Sequence, residues 1–300
     1  MGDKGLYPGG IEGGLEFFQK VFGLLELVKF PHTVFSLPFA IMSAFLAAQG
    51  MPSPRELLLI LGALVMARNC AMGFNRLADV QYDSTNPRTR QWYVLQHQVG
   101  RPTLLAFTLV SALLFVGLSR ALNQLAFLLS PVALIVIVGY SYTKRFTSLS
   151  HFFLGTALAL SPLGAWVAVK GSFDVPPCLL ALAVLLWTAG FDIIYACQDV
   201  EHDQKMGLHS LPKNLGVKNA LRLSSLLHLL MVAVLFLLAS YAGLGRIYLA
   251  GVCLTAVLLF YEHSLVRPED LSRINVAFFT VNGFISLVLM AATLLDIFLS

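Results

Sequence analysis

Two acidic clusters are the residues of this chain best suited to chemistry: Asn75-x-x-x-Asp79-x-x-x-Asp83 and Asp192-x-x-Tyr195-x-x-x-Asp199-x-x-x-Asp203. Spacings of three, four and seven put each set on one face of a helix, with the paired carboxylates stacked about 6 Å apart. The chain has 16 acidic residues, and five of them are here. Carboxylates grouped in this way repel one another unless a cation sits among them. Oxygen donors without His or Cys nearby select a hard ion, Mg²⁺ before Zn²⁺, and Mg²⁺ usually shares its shell with substrate phosphates. Basic residues flank the same segments: Arg76, Arg88, Arg90, Lys144, Arg145 and Lys205. Acid and base around one cavity mouth point to a diphosphate bridged by Mg²⁺, with basic side chains on its outer oxygens.

The elements that must position these residues follow from composition. The chain of 300 residues is 57% hydrophobic and 12% charged, with mean hydropathy +0.77. A soluble domain carries about 25% charged residues. The expected fold is therefore all-α: a polytopic membrane protein whose single domain spans residues 1–300, surrounded by membrane lipid. Apolar runs near 30–49, 57–75, 103–119, 122–141, 151–169, 178–198, 223–243, 246–261 and 275–298 predict nine transmembrane helices in one bundle around a central cavity. A tail over 1–20 precedes them, and its acidic residues and glycines do not resemble a cleavable signal. Loops 76–102 and 199–222 form the cavity mouth. Nine spans place fifteen basic residues, from Lys4 to Arg273, on the side of both clusters. Arg55, Arg120, Lys170 and Arg246 fall on the other side, and Arg68 is left inside the second span. That bias makes the cluster side cytoplasmic. The net charge of +4 does not suggest nucleic acid. Cys70, Cys178, Cys197 and Cys253 are scattered through apolar runs and read as small buried hydrophobes.

A weak internal repeat links the clusters. Ser36-Leu37-Pro38 corresponds to Leu160-Ser161-Pro162, and the first acidic cluster to the second. Two related four-helix units plus a last helix would set helices 2 and 6 facing one another across the cavity. The apolar interior beneath the mouth suits a long hydrocarbon tail.

Longer stretches carry a resemblance. They are Asn75-Arg76-Leu77-Ala78-Asp79-Val80-Gln81-Tyr82-Asp83, Asn86-Pro87-Arg88-Thr89, Tyr140-Ser141-Tyr142-Thr143-Lys144-Arg145, and Asp192 through Asp203. Together they resemble the UbiA superfamily of intramembrane prenyltransferases over roughly residues 30–290. The resemblance implies transfer of a polyprenyl group from polyprenyl diphosphate to an aromatic acid acceptor, at the cytoplasmic face of a bacterial inner membrane. It implies two Mg²⁺ ions: Asn75, Asp79 and Asp83 would hold one metal region, and Asp199 and Asp203 the other. Tyr140 and Lys144 match an element that lies near the diphosphate, and the flanking Arg76, Arg88 and Lys205, with Tyr195, join them as candidate substrate contacts. Asp192 would stand behind the metal ligands, bonded to Tyr140 or Lys144. Arg145 resembles an arginine that orients an aromatic carboxylate or steadies the allylic diphosphate. The motifs look like 4-hydroxybenzoate polyprenyltransferases of ubiquinone synthesis. They look equally like relatives acting on 1,4-dihydroxy-6-naphthoate in menaquinone synthesis, toward which Glu262-His263-Ser264 and Asn275 to Asn282 lean. Haem O or chlorophyll synthesis are more distant branches of the same superfamily.

Several residues stand apart from the motifs. Arg68, seven residues before Asn75 on the same face, either pairs with a buried acid such as Asp192 or reaches the acceptor. His32 reads as an interfacial cap, and His209 and Lys213 follow the second motif as candidate diphosphate contacts. Aromatic faces from Tyr140, Phe74 and Tyr195 are candidates to stabilise an allylic cation. The segment from Arg90 to Gly100 departs from the family pattern by lacking a proline, which leaves its shape open. An ion-coupled transporter is the alternative of a different class, since intramembrane acids also mark ion pathways. Transport acids, however, belong near the membrane midplane, and these lie at one face.

Overall fold

The computed structural model describes residues 22–24, 26, 27 and 35–299. The tail 1–20, Lys29 and His32 lie outside the described residues. The rest folds as helices joined by short turns: α1 (Leu37–Ala48), α2 (Pro54–Ala78), α3 (Val80–Thr85), α4 (Arg90–Val99), α5 (Arg101–Leu122), α6 (Gln124–Thr143) and α7 (Ser150–Lys170). They continue with α8 (Val175–Ala196), α9 (Val200–Lys205), α10 (Leu211–Leu215), α11 (Val217–Ala242), α12 (Arg246–Ser264) and α13 (Asn282–Leu299). A 3₁₀ turn at Cys197–Asp199 joins α8 to α9, and a π-helical turn at Val276–Val281 leads into α13.

Eight helical spans are long and apolar enough to cross a membrane, which makes this an integral, multi-pass membrane protein. The expected ninth is α1, whose 12 residues reach only about 18 Å, short of a hydrocarbon core of about 30 Å. The predicted span at 30–49 begins among residues that are not described, so the count among described residues is eight long spans plus one short helix.

Helix ends explain where the spans start. Ser53 accepts from Glu56 N, Glu56 answers at Ser53 N, and Pro54 stands in the first turn of α2: a capping box in front of a residue that has no N–H to satisfy. Asn123 caps α6 at Ala126 N and also donates to the α7 carbonyls of Val167 and Ala168. The start of α12 is held by Asp296 of α13, which accepts from Gly245, Ile247 and Tyr248 N–H at 2.6, 3.1 and 3.1 Å. These bonds satisfy orphan amides where lipid offers none.

Helix α8 is the centre of the bundle, packed between α7 and α11. Its Leu180, Val184, Trp187, Ile193 and Ile194 are fully buried, against Phe39 and Met42 of α1 and Leu235 of α11. The second layer is α2, α5 and α6, with α2 packed on both of the others. The repeat-related serines meet in space, Ser161 Oγ donating to Ser36 O at 2.9 Å, and Ser43 Oγ, further along α1, donates to Pro162 O at 2.6 Å. Of the cysteines, Cys70 and Cys197 are buried as expected, whereas Cys178 and Cys253 are exposed on the outer surface, where lipid rather than protein supplies the apolar medium.

Candidate active site

Each acidic motif was expected on one continuous helix face. In the structure each is broken at the first carboxylate of its pair. Asp79 (φ −99°, ψ 12°) separates α2 from α3, and Asp199 (φ −99°, ψ 3°) separates the 3₁₀ turn from α9. Both sit in the bridge region of backbone space, where many site residues are found. The hydrogen bonds Asp79 N→Asn75 O (2.9 Å) and Asp83 N→Asp79 O (2.8 Å) run through the first break, so the helix bends without separating. That the two breaks share their dihedral angles makes the internal repeat visible in the backbone.

The residues after the first break form a cap. The proline-free segment is helical: α4 buries Trp92, Gln96 and Val99 at spacings of four and three, and Gly100 ends it at φ +85°. Arg76 runs under this cap. Its guanidinium donates to Asp83 at 2.9 Å and lies 5.4 Å from the Trp92 ring centroid. Asn86 and Arg88, on the turn between α3 and α4, cross to the second motif. Asn86 Nδ2 donates to Asp199 Oδ1 at 3.2 Å, and Arg88 grips the same carboxylate with two bonds, Nε→Oδ1 at 3.1 Å and Nη2→Oδ2 at 2.7 Å. The guanidinium also stacks 4.9 Å above Tyr195 and donates to its Oη at 3.1 Å.

These contacts enclose a polar pocket of about 100 Å³ lined by Asp79, Asp83, Asp199 and Asp203 together with Asn86, Arg88, Lys144 and Arg145. Asn75 donates to Asp79 Oδ2 at 2.7 Å, and Arg145 bonds Ala78 O at 2.7 Å while reaching Asp79 Oδ1 at 3.5 Å. Burial, reinforced by the Asp83 charge, raises the Asp79 pKa to about 6 against the pull of Arg145 and Lys144. Burial works against the charged forms of Arg88 and Lys144, yet both pKa values are raised. Asp199 outweighs burial for Arg88, and Asp192, Asp203 and Asp199 outweigh it for Lys144. The pocket therefore holds charge of both signs at high density.

Some predicted residues sit elsewhere. Asp192 was expected to stand behind the metal ligands, bonded to Tyr140 or Lys144: its charge acts on Lys144, while its Oδ2 meets His151 Nδ1 at 2.6 Å, and Leu211 N donates to His151 Nε2 at 3.4 Å. His151, fully buried, was missed because a lone histidine in an apolar run carries no periodic signal. Tyr195 backs Arg88 rather than lining the polar pocket, Arg76 lies beneath it, and Lys205 is exposed at the end of α9. Lys213 Nζ is engaged by Leu208 O at 2.6 Å. Asn86, Thr89 and Ser141 line the pocket without having been singled out, although the first two belong to the Asn-Pro-Arg-Thr motif.

Deeper between the helices lies an apolar cavity of about 410 Å³. Ala63, Ala67 and Ala71 of α2 line one wall, and Phe191 and Phe278 another. Arg68 and Tyr140 are among its few polar linings, one to two turns below Asn75 and Lys144 on the same helices.

The donor set suits a hard cation. Among the described residues no three His, Cys, Asp or Glu side chains converge as a ready coordination group. Mg²⁺ does not require one, since it takes one or two carboxylates and fills its shell with water and phosphate oxygens. Asp203 Oδ2 is buried without a hydrogen-bond partner, an oxygen in want of a cation or a water.

Comparison with known proteins agrees with this architecture. The model of the UbiA prenyltransferase family matches residues 36–288. A 4-hydroxybenzoate octaprenyltransferase of Shewanella woodyi is 29% identical over 242 residues, covering 81% of this chain and 84% of its own. The apo structure of a UbiA homolog from Aeropyrum pernix K1 superposes with TM-score 0.80 at 31% identity, over 88% of this chain and 98% of that one. A UbiA homolog from Archaeoglobus fulgidus, bound to GPP and Mg²⁺, shares the fold with TM-score 0.73 at 20% identity, over 92% of this chain and 99% of that one.

Proposed function

The chain belongs to the UbiA prenyltransferase family and is a prenyltransferase; from that premise we propose that it transfers a polyprenyl group from its diphosphate to the ring of 4-hydroxybenzoate, with Mg²⁺ held between the two acidic motifs. The observation that carries this is the meeting of Asp79, Asp83, Asp199 and Asp203 in one polar pocket above an apolar cavity. A diphosphate fits the first and a prenyl tail the second. Relatives named for 4-hydroxybenzoate support the acceptor. Of the two segments that lean toward dihydroxynaphthoate by sequence, Glu262 and Asn282 are fully buried and bonded to each other, away from the linings of both cavities, while Phe278 lines the apolar one.

Asp79, Asp83, Asp199 and Asp203, with Asn75, would hold the metal, in two ions. When bound, Mg²⁺ supplies positive charge to the leaving diphosphate. Arg88, Lys144 and Arg145 supply the remainder from the lining of the same pocket, where Arg88 and Arg145 rest on motif carboxylates until a diphosphate offers them its oxygens. The allylic C–O bond breaks with its electron pair leaving on the diphosphate. The ring carbon ortho to the hydroxyl then forms the new bond, and the ring loses its proton. The apolar walls exclude the water that would otherwise capture the cation. The basic bias of the motif side supports a cytoplasmic mouth in a bacterial inner membrane.

The test is prenyl transfer by purified protein with Mg²⁺, labelled polyprenyl diphosphate and 4-hydroxybenzoate. Asp79→Ala and Asp199→Ala are each expected to lower turnover by about a thousandfold or more while the protein still inserts. Wild-type-like turnover in either variant would sink the assignment.

A further inference from the structure

The π-helical turn Val276–Val281 stands outside both acidic motifs. Insertions of this kind in a helix often mark functional sites. The turn carries Phe278, which lines the apolar cavity and packs on Tyr195 behind Arg88 of the polar pocket. The Phe278 ring stacks on Tyr195 with centroids 4.0 Å apart and meets Phe191 edge-on at 5.2 Å and Phe35 at 5.8 Å. Phe35, Phe191 and Phe278 line the apolar cavity. On its other flank Tyr195 carries Arg88, which holds Asp199. An unbroken series of contacts thus runs from the metal-motif carboxylate, through Arg88 and Tyr195, to Phe278 and the apolar wall.

A buried polar relay holds the turn in place. Trp187 Nε1 donates to Asn282 Oδ1 at 2.6 Å. The Asn282 amide donates to Glu262 Oε1 at 3.0 Å and to Ala277 O, inside the π-turn, at 3.1 Å. Trp187, Asn282 and Glu262 are all fully buried. One asparagine therefore ties α8, α12 and the π-turn together, and the Trp187 ring so fixed packs edge-on against Phe191 at 4.9 Å. A carboxyl group and an amide are costly within a lipid-embedded core, and residues retained there against that cost commonly serve the site.

We propose that Phe278 is the aromatic wall at which the allylic carbon ionises, and that Glu262 and Asn282 are positioning residues that hold the π-turn presenting it. The inference rests on the prenyl-transfer function proposed above. With a diphosphate in the polar pocket and its tail in the apolar cavity, the first carbons of the tail would lie near this wall, one side chain (Tyr195) removed from Arg88. As the C–O pair leaves with the diphosphate, an aromatic face stabilises the allylic cation and keeps water off it until the acceptor ring carbon attacks. Water that does reach the cation gives prenyl alcohol and a released proton, so the partition between the two products reports on this wall.

The experiment measures geranyl diphosphate consumed, prenylated 4-hydroxybenzoate and geraniol, with the protein in lipid vesicles. Phe278→Leu is expected to lower kcat by about tenfold, to leave KM for geranyl diphosphate within about threefold, and to raise the geraniol share. Phe278→Tyr should recover most of the turnover. Asn282→Ala and Glu262→Leu should reproduce the shift toward geraniol, and Glu262→Gln, which keeps the oxygen that Asn282 bonds, should reverse it. A folded Phe278→Leu protein with unchanged kcat and unchanged partition would overturn the proposal, as would Glu262→Gln and Glu262→Leu partitioning alike. If wild-type protein consumes no geranyl diphosphate in a Mg²⁺-dependent manner, prenyl transfer itself fails and takes this inference with it. Consumption by wild type with indifferent variants removes the inference alone.

Discussion

At the level of single residues, the mouth of the cavity is a set of matched charges. Arg88 occupies both oxygens of Asp199, and Arg76 occupies Asp83. A metal that needs these oxygens competes with guanidinium groups, and the competition eases once diphosphate oxygens give Arg88 another partner. Mg²⁺ alone is therefore expected to bind weakly, and Arg88→Gln should tighten Mg²⁺ binding in the absence of substrate while lowering turnover. Calorimetry with Mg²⁺ on both proteins checks this, and equal affinities would refute the competition. Arg76 differs, because it does not line the pocket and its pair with Asp83 is almost wholly buried. Removing one partner of such a pair costs about 3 kcal/mol, so Arg76→Met should lower the melting temperature more than it alters KM for the prenyl diphosphate. The carboxylates were legible from the sequence because a spacing of four is a signal. His151 and Phe278 were not. The first is one histidine in an apolar run, and the second is one of 22 phenylalanines whose role depends on a local π-turn that no periodicity announces.

At the level of elements, close helix packing sets the site. A Cβ on Gly155 of α7 would stand 2.6 Å from the Leu185 carbonyl oxygen of α8. Backbone cannot yield there, and small residues at such crossings are what let membrane helices approach. Helix α7 carries His151 and α8 carries Asp192, so their 2.6 Å bond depends on this approach. Gly155→Val is expected to cost about 1–3 kcal/mol and to depress turnover beyond what the loss of folded protein explains. Melting temperature and kcat per folded molecule, measured together, separate the two effects, and unchanged values for both would show that the crossing tolerates spreading. The spans and the repeat could be read from hydropathy and from the Ser-Pro pairs. The break at Asp79 could not, since a helix that keeps its i→i−4 bonds through a break retains the spacing of a straight one, and the 3₁₀ turn at Cys197–Asp199 carries no periodic sign of its own. Nor could α4, where the missing proline marked a departure without saying that a helix burying Trp92, Gln96 and Val99 would form the cap.

At the level of the whole molecule, the two halves contribute one motif each, and the mouth closes where one meets the other: at Asn86 and Arg88 on Asp199, and at Lys144 O, which accepts from His209 N at 2.7 Å. Below the mouth α2 presents small side chains, Ala63, Ala67 and Ala71, at successive turns, while aromatics come from both halves, Phe115 and Tyr140 from the first and Phe191 and Phe278 from the second. A prenyl tail lying between them meets a smooth wall on the alanine side, and the space there limits the length that fits. In a cavity of about 410 Å³, a phenyl group at position 67 would take room from the tail while leaving the diphosphate end, some three turns away at Asp79, unchanged. Ala67→Phe is therefore expected to reduce kcat/KM for a long polyprenyl diphosphate by about tenfold or more, and that for geranyl diphosphate by no more than about threefold. Comparing the two donors on one preparation makes the result independent of how much protein is folded. Equal losses for both lengths would mean that the alanine wall does not hold the tail.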